Sequence, residues 1–259
     1  MPTAFAKTRD RRQPVPLDVD PRHGTVRVGD RVVPVAEVDW DVPTDGTVYG
    51  TLLNYQGALA ALGDTVHAMP YQAPPKAPIL YLKPPNTWVG YGKPIPLPAE
   101  IDAVEIGAAL GIVIGRTATR VTADAALDYV RGYTVVNDVT LPHASVYRPP
   151  IRQRCRDGFC PIGPWVIERA AVLDPDNLTL RVFVDGALRA ENTTAHLVRP
   201  VAQLIADVTD FMTLSPGDIL HVGTPEQAPL ARIGERVAIE IEGVGWLENP
   251  VMADRAGQS

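Results

Sequence analysis

Between Asp102 and Gly115 the chain reads DAVEIGAALGIVIG, an alternation with a period of two. Val104, Ile106, Ala108, Leu110, Ile112 and Ile114 fall on one face. Glu105, Gly107, Ala109, Gly111, Val113 and Gly115 fall on the other. This is the side-chain period of a strand, and its first face is a core face. The second face is nearly stripped of side chains, which leaves room for a close backbone, a ligand or a cavity.

The rest of the chain supports a β-rich fold. Nine of its 26 prolines fall between Pro70 and Pro98, where they favour loops and short extended passages over helices or central strands. GTVRVGDRVVPV reads as a hairpin turning at Gly29-Asp30, and LTLRVFVDGALRA as another around Asp185-Gly186. TVYGTLLNY opens the main domain near Thr47. Ile79 to Leu82, YTVVNDVTL, GDILHVG and GERVAIEIEGVGWLEN supply further strands. Three short helices are expected. One covers Ala58 to Leu62. A second runs from a Thr122 cap to about Val130, before Gly132. The third carries Val201, Leu204, Ile205, Val208, Phe211 and Met212 on one face. The fold class is α+β and β-rich. Residues 1–45 are expected to form an N-terminal arm and β-hairpin appendage, with 1–20 arm-like or disordered, and 46–259 the main domain.

A chain of 259 residues, 46% hydrophobic, buries its core without disulfide staples. A formal charge of −6 argues against nucleic acid as the main partner, while leaving open a local basic patch for an anionic substrate. No apolar run reaches the roughly 18 residues of a membrane span, and Met1 to Gln13 lacks the apolar stretch of a secretory signal. A cytoplasmic location is expected. Cys155 and Cys160, spaced C-x4-C, match no zinc pattern and read as free thiols. The absence of G-x-G-x-x-G, P-loop, G-x-S-x-G and H-E-x-x-H motifs removes the common nucleotide, serine-hydrolase and zinc-protease readings.

Several residues are candidates for chemistry. Arg148, Arg152, Arg154 and Arg156 lie in the proline-bounded segment YRPPIRQRCRDGFCP. Guanidinium forks bind carboxylates through paired hydrogen bonds, so the cluster suits a small dianion. Solvated surface pairs are the ordinary alternative. Asp138 interrupts an apolar strand, which requires a partner or a metal; a hydrogen-bonded structural aspartate meets the same need. Glu105 is the acid on the small-residue face of its strand and is placed to share a site with Asp138. His143, five residues on, is a candidate ligand or base. Gly223-Thr224-Pro225 brings bare backbone and a hydroxyl to a strand end, where sites often form.

In order, GRTATRVTADAALDYVRGYTVVNDVTL, RDGFCPIGPW, DPDNLTLRVFVDGALR, DFMTLSPGDILHVGTP and GVGWLENPV resemble the fumarylacetoacetate hydrolase superfamily, from about Thr47 to Val251. YQAPPKAPILYLKPPNTWVGYGKPIP and LPHASVYRPPIRQRCRDGFCPIG are similar to the first repeat of its two-repeat isomerase/decarboxylases of homoprotocatechuate breakdown. The resemblance implies a mixed β-sheet roll and a divalent metal, Mg²⁺ or Mn²⁺, that chelates a 2-oxo acid and stabilises its enolate. It implies a small 2-oxo dicarboxylate or tricarboxylate as substrate, and a homo-oligomer or a hetero-oligomer with a second-repeat-type subunit. Asp138 matches one metal position, with Glu105 as a further candidate ligand. Lys83, Arg148, Arg152, Arg154, Arg156 and Thr224 are the expected substrate contacts, and His143 the proton carrier. On that reading Asp138→Ala abolishes turnover and leaves the fold intact.

The departures are specific. The family's E-x-E metal positions are Gly107 and Ala109 here. Its acid and base, shortly after an Asn-Tyr pair kept as Asn54-Tyr55, are Ala58 and Ala61. Its Arg-Asp pair becomes Pro142-His143, its lysine before DGF becomes Arg154, and its G-T-P-x-G turn becomes Gly223-Thr224-Pro225-Glu226-Gln227. Three functions follow as expectations. The first is decarboxylation of 5-oxopent-3-ene-1,2,5-tricarboxylate and/or isomerisation of 2-hydroxyhepta-2,4-diene-1,7-dioate. The second is a non-catalytic partner for a complete second subunit. A hydrolase or decarboxylase of another 2-oxo acid is a third.

Overall fold

The computed structural model describes residues 1–11, 13–69, 72–143 and 150–254. The alternating segment forms the centre of the larger sheet. Strand Ala108–Ile114 is buried throughout and pairs antiparallel with Val130–Asn137 on one side and Ile219–His221 on the other. Its two faces separate as the alternation requires. Ile106, Ala108, Leu110, Ile112 and Ile114 enter the main core. Ala109 and Val113 enter a second cluster with Val48, Val136, Cys160, Ile162 and Ile219.

Among the described residues the larger sheet has 12 strands. Its path runs Arg31–Pro34, Thr25–Val28, Val15–Asp20, Thr3–Thr8, Cys160–Glu168, Val130–Asn137, Ala108–Ile114, Ile219–His221, Val48–Leu52, Ile79–Lys83. A 5-stranded sheet, from Ala187–Thr193 through Thr179–Val184, Arg236–Ile241 and Gly245–Ala253 to Ile95–Leu97, packs across the main core. Both sheets are mixed. Ile219–His221 runs parallel to Val48–Leu52, and Gly245–Ala253 parallel to Ile95–Leu97. The fold is therefore the β-rich mixed architecture expected, with few and short helices.

The two hairpins turn where the sequence placed them. Asp185 and Gly186 both take positive φ, 49° and 75°, as a two-residue turn matched to strand twist requires. Helix Val201–Phe211 buries Val201, Leu204, Ile205 and Val208, and the Asp176 carboxylate accepts the Val201 N–H at 2.7 Å. Phe211, expected on that face, is 62% exposed because the helix ends there and the chain turns away. The middle helix is shorter than expected: Ala123–Ala126 is α, Leu127–Tyr129 is 3₁₀, and the Thr122 hydroxyl makes no capping bond.

The N-terminal expectation needs correction. Among residues 1–11 and 13–20, strands replace the expected arm-like or disordered chain. Thr3–Thr8 pairs with Cys160–Glu168 and Val15–Asp20, and Ala4 and Ala6 are fully buried. Small side chains gave no strong hydrophobic signal, yet they let this strand lie close against its neighbours. The hairpin continues the same sheet, so hydrogen bonding runs unbroken past residue 45.

Candidate active site

Asp138 follows the end of strand Val130–Asn137. Its N–H donates to the Gly107 carbonyl at 2.8 Å, which fixes it beside the small-residue face. Its carboxylate is buried and sits between two cations: Lys83 Nζ lies 2.7 Å from Oδ1 and Arg154 Nη1 2.6 Å from Oδ2. Tyr81 donates its hydroxyl to Oδ2 as well. Tyr81 and Lys83 are two apart on strand Ile79–Lys83 and so share a face.

An ammonium has three donors, and Lys83 gives all of them to carbonyl oxygens: Val139 and Arg154 at 2.8 Å and Phe159 at 2.9 Å. Oδ1 of Asp138 thus receives the charge of Lys83 without a hydrogen bond from it, and remains an acceptor with no donor. Burial alone would push the Asp138 carboxyl up. The charges of Lys83, then Arg154, outweigh burial and hold it well below the usual carboxylate range.

Behind Tyr81 stands His221, fully buried. Its Nδ1 accepts the Gly223 N–H at 3.2 Å, which leaves the ring proton on Nε2, 3.2 Å from the Tyr81 oxygen. Burial pushes its pKa down to about 4, so the ring is neutral. Gly50 makes the arrangement possible: a Cβ there would fall 2.2 Å from Tyr81 Cζ and 2.6 Å from His221 Nε2. Sequence reasoning missed these three residues. A signal existed, since His221 interrupts the apolar GDILHVG as Asp138 interrupts its own strand, and Tyr81 lies one strand period from Lys83.

The other candidates are distributed around this centre. Glu105 exchanges backbone hydrogen bonds with Thr140. Its half-buried carboxyl makes no ion pair among the described residues and is raised by burial, opposed in part by His143 and Arg154. His143 Nδ1 donates to the Leu141 carbonyl at 2.8 Å, and its Nε2 makes no hydrogen bond among the described residues. Thr224 packs its methyl against Gly107, where a Cβ would meet it at 2.7 Å.

The arginines do not converge. Arg154 points inward to Asp138, Arg152 is exposed, and Arg156 lines a separate groove with Pro96, Pro98 and Asp157. Arg148 lies outside the described residues. Two expected substrate contacts are corrected here. Lys83 gives its three donors to backbone carbonyls, and Arg154 Nη1 is committed to Asp138 and Tyr81, while the buried Arg154 Nε keeps no hydrogen-bond partner.

A different carboxylate also borders Gly107. Glu226, in the turn after Ile219–His221, lines a narrow cleft of about 40 Å³ with Gly107, Ala108, Asn192, Gln227 and Pro229. It rests on Gly57 of helix Gln56–Ala60, where a Cβ would lie 2.1 Å from Oε1. Its Oε2 is buried with no hydrogen-bond partner, as is the Tyr55 hydroxyl. The phenol's pKa is raised by burial and by the charge of Glu226.

The profile of the fumarylacetoacetate (FAA) hydrolase C-terminal family matches residues 47–252. This chain belongs to that family. It is 41% identical over 210 residues to a 4-hydroxyphenylacetate degradation bifunctional isomerase/decarboxylase of Escherichia coli, covering 81% of this chain and 48% of that protein. The chain therefore spans about half the length of this relative. A solved 2-hydroxyhepta-2,4-diene-1,7-dioate isomerase from Mycobacterium marinum matches over 100% of both chains, with a TM-score of 0.76 and 29% identity. A maleylpyruvate hydrolase from Sphingobium sp. SYK-6, solved with manganese(II) and pyruvate, shares the fold at a TM-score of 0.74 and 23% identity over 97% of this chain and 100% of that one.

The residues present do not fit a divalent cation in the way the family resemblance implies. Among the described residues no three His, Cys, Asp or Glu side chains gather as a ligand set. At Gly107 a Cβ would lie 2.5 Å from the Asp138 carbonyl oxygen, and Ala109 is packed into the second cluster. Asp138 Oδ1 is a free acceptor, but it lies 2.7 Å from an ammonium. One carboxylate between two cations leaves the centre with excess positive charge, which repels a metal ion. Glu105 adds a half-buried carboxyl that burial biases toward neutrality. Nor does any helix reach the length and apolarity needed to cross a membrane, among the described residues.

Proposed function

We propose that this chain acts in the breakdown of 4-hydroxyphenylacetate, on unsaturated 2-hydroxy or 2-oxo dicarboxylates, as the isomerase of 2-hydroxyhepta-2,4-diene-1,7-dioate. The observation that carries this reading is the likeness to the bifunctional isomerase/decarboxylase at 41% identity over 81% of the chain. The full-length match to the Mycobacterium marinum isomerase supports it.

The geometry favours isomerisation over decarboxylation of 5-oxopent-3-ene-1,2,5-tricarboxylate. Decarboxylation needs an electrophile to hold the enolate formed as CO₂ leaves. The cations around Asp138 are already engaged. Moving a proton along a dienol needs anion contacts and free proton carriers. His143 Nε2 has no partner among the described residues and is the first of these, with Glu105 as another. Arg152, exposed and without an ion pair among the described residues, with Arg148 near it in sequence, is assigned to a substrate carboxylate. The purified chain should bleach the dienol's ultraviolet absorbance without releasing CO₂. No bleaching by the chain, alone or mixed with a second-repeat-type subunit, would end this reading.

A second reading has its own observation. The Asp138 centre is closed and internally paired, and strand Ile79–Lys83 ends the larger sheet with Ile79 and Leu82 exposed. A partner subunit of the same family would cover that edge. Activity that requires co-expression with the second subunit would select it.

A further inference from the structure

Four acidic or phenolic groups, Asp138, Tyr81, Glu226 and Tyr55, differ in what they have left to give. Asp138 is held by Lys83 and Arg154, and Tyr81 by Asp138. Glu226 and Tyr55 are not held. Glu226 makes no ion pair among the described residues, its Oε2 is buried with no partner, and the Tyr55 hydroxyl is buried in the same condition. A buried carboxylate oxygen without a donor is unfavourable, and a hydrogen-bond donor arriving with a ligand removes the penalty. The carboxylate reaches its place only because residue 57 is glycine: any Cβ would overlap it, at 2.1 Å from Oε1 and 2.3 Å from Oε2. From there it lines the cleft shared with Gly107 and Ala108.

We infer that Glu226 is a catalytic base of this site, receiving the hydroxyl proton of a bound dienol. The inference rests on the isomerase reading above. The step balances as follows. The O–H bond at C2 breaks and its proton passes to Glu226. Its electron pair forms the C2=O bond, the C2=C3 pair becomes C3=C4, and the C4=C5 pair takes a proton at C5 from solvent. Glu226 then returns its proton to solvent. No oxidant, reductant or metal enters.

Two variants of the full chain test this by the rate of dienol bleaching. Glu226→Gln keeps the size of the side chain and removes its basicity. Because the carboxylate has no protein partner, the fold does not depend on it. Gly57→Ala keeps the carboxylate and displaces it. Both should lower kcat by about 10²–10⁴-fold, with KM within a few-fold and the thermal midpoint unchanged. A Glu226→Gln rate within threefold of the wild type overturns the inference and leaves the isomerase reading standing. A wild-type rate in Gly57→Ala overturns it as well, since placement against residue 57 would then be irrelevant. A wild-type chain inert toward the dienol removes the isomerase reading, and the inference with it.

Discussion

Asp138, whose carbonyl packs on Gly107, and Glu226, which lines a cleft with Gly107, are two carboxylates that the chain treats differently. Asp138 has a lysine, an arginine and a phenol within reach, and every proton of the lysine is spent on the surrounding backbone. Glu226 has a glycine, an orphan phenol and a cleft. The first arrangement ties together strand Ile79–Lys83, the end of strand Val130–Asn137 and the arginine segment. It is a clamp. The second leaves reactive atoms without protein partners, which favours chemistry over stability.

The largest expected effect breaks the clamp. Asp138→Ala leaves Lys83 and Arg154 buried without their counter-ion, and should destabilise the fold by about 3–5 kcal/mol, the usual loss when one partner of a buried pair is removed. Urea midpoints measure it. The sequence alone predicted that this variant would lose turnover with its fold intact; the two buried cations make it a stability variant first. A fully stable Asp138→Ala would mean the clamp carries nothing, and would return Asp138 to the role of a ligand.

The pH dependence of stability sharpens the same contrast. His221 has a folded pKa of about 4 against 6.5 unfolded. Between those values the unfolded chain takes up a proton that the folded chain refuses. Its contribution is complete above pH 6.5 and is lost as the pH falls toward 4, amounting to roughly 3 kcal/mol. Asp138, also lowered, contributes above its unfolded value of 3.8, and that part is lost at more acid pH still. Glu105, raised by burial, works in the opposite sense: its contribution is lost as the pH rises through its folded pKa, and exposure reduces it. Urea stability should therefore fall between pH 6.5 and 4.5, and His221→Gln should flatten that fall. An unchanged slope in the variant would place the titration elsewhere.

Metal dependence separates the two carboxylates without mutation. Titration calorimetry with Mg²⁺ or Mn²⁺ should give no saturable heat at Asp138, and chelation should shift the melting temperature by less than about 1 °C, since only bound ligand moves it. A stoichiometric site abolished by Asp138→Asn would show that the pair with Lys83 opens to admit the ion.

The sequence disclosed most of the fold and only part of this contrast. Alternation from Val104 to Ile114 placed the central strand with both faces correct, because period is a local property. The hairpins were legible from Gly29 and Gly186 for the same reason. Strand Thr3–Thr8 was not, since Ala4 and Ala6 carry little hydrophobic signal and are buried through pairing with a distant strand. Asp138 was rightly read as needing a partner. Which partner was not legible, because Lys83 and Tyr81 lie on a strand far away in sequence. Glu226 stood out only as a departure from a familiar turn; its contact with Gly57 exists in three dimensions alone.

The arginine segment teaches the same lesson and yields the smallest expected effect. Arg152, Arg154 and Arg156 are neighbours in sequence, but residues two apart on a helical turn do not face one way. The short helix Ile151–Arg154 turns Arg154 inward and leaves Arg152 outside. Arg152→Ala should therefore change stability by no more than about 0.5 kcal/mol, as at other surface positions. If its guanidinium meets a substrate carboxylate, KM rises several-fold with kcat unchanged, the pattern of binding lost equally in ground and transition states. That split is the reverse of the one expected for Glu226→Gln, so the two variants assayed together separate anion holding from proton transfer. An Arg152→Ala enzyme with wild-type KM would assign the carboxylate contact to another residue of the segment and leave the roles of Asp138 and Glu226 untouched.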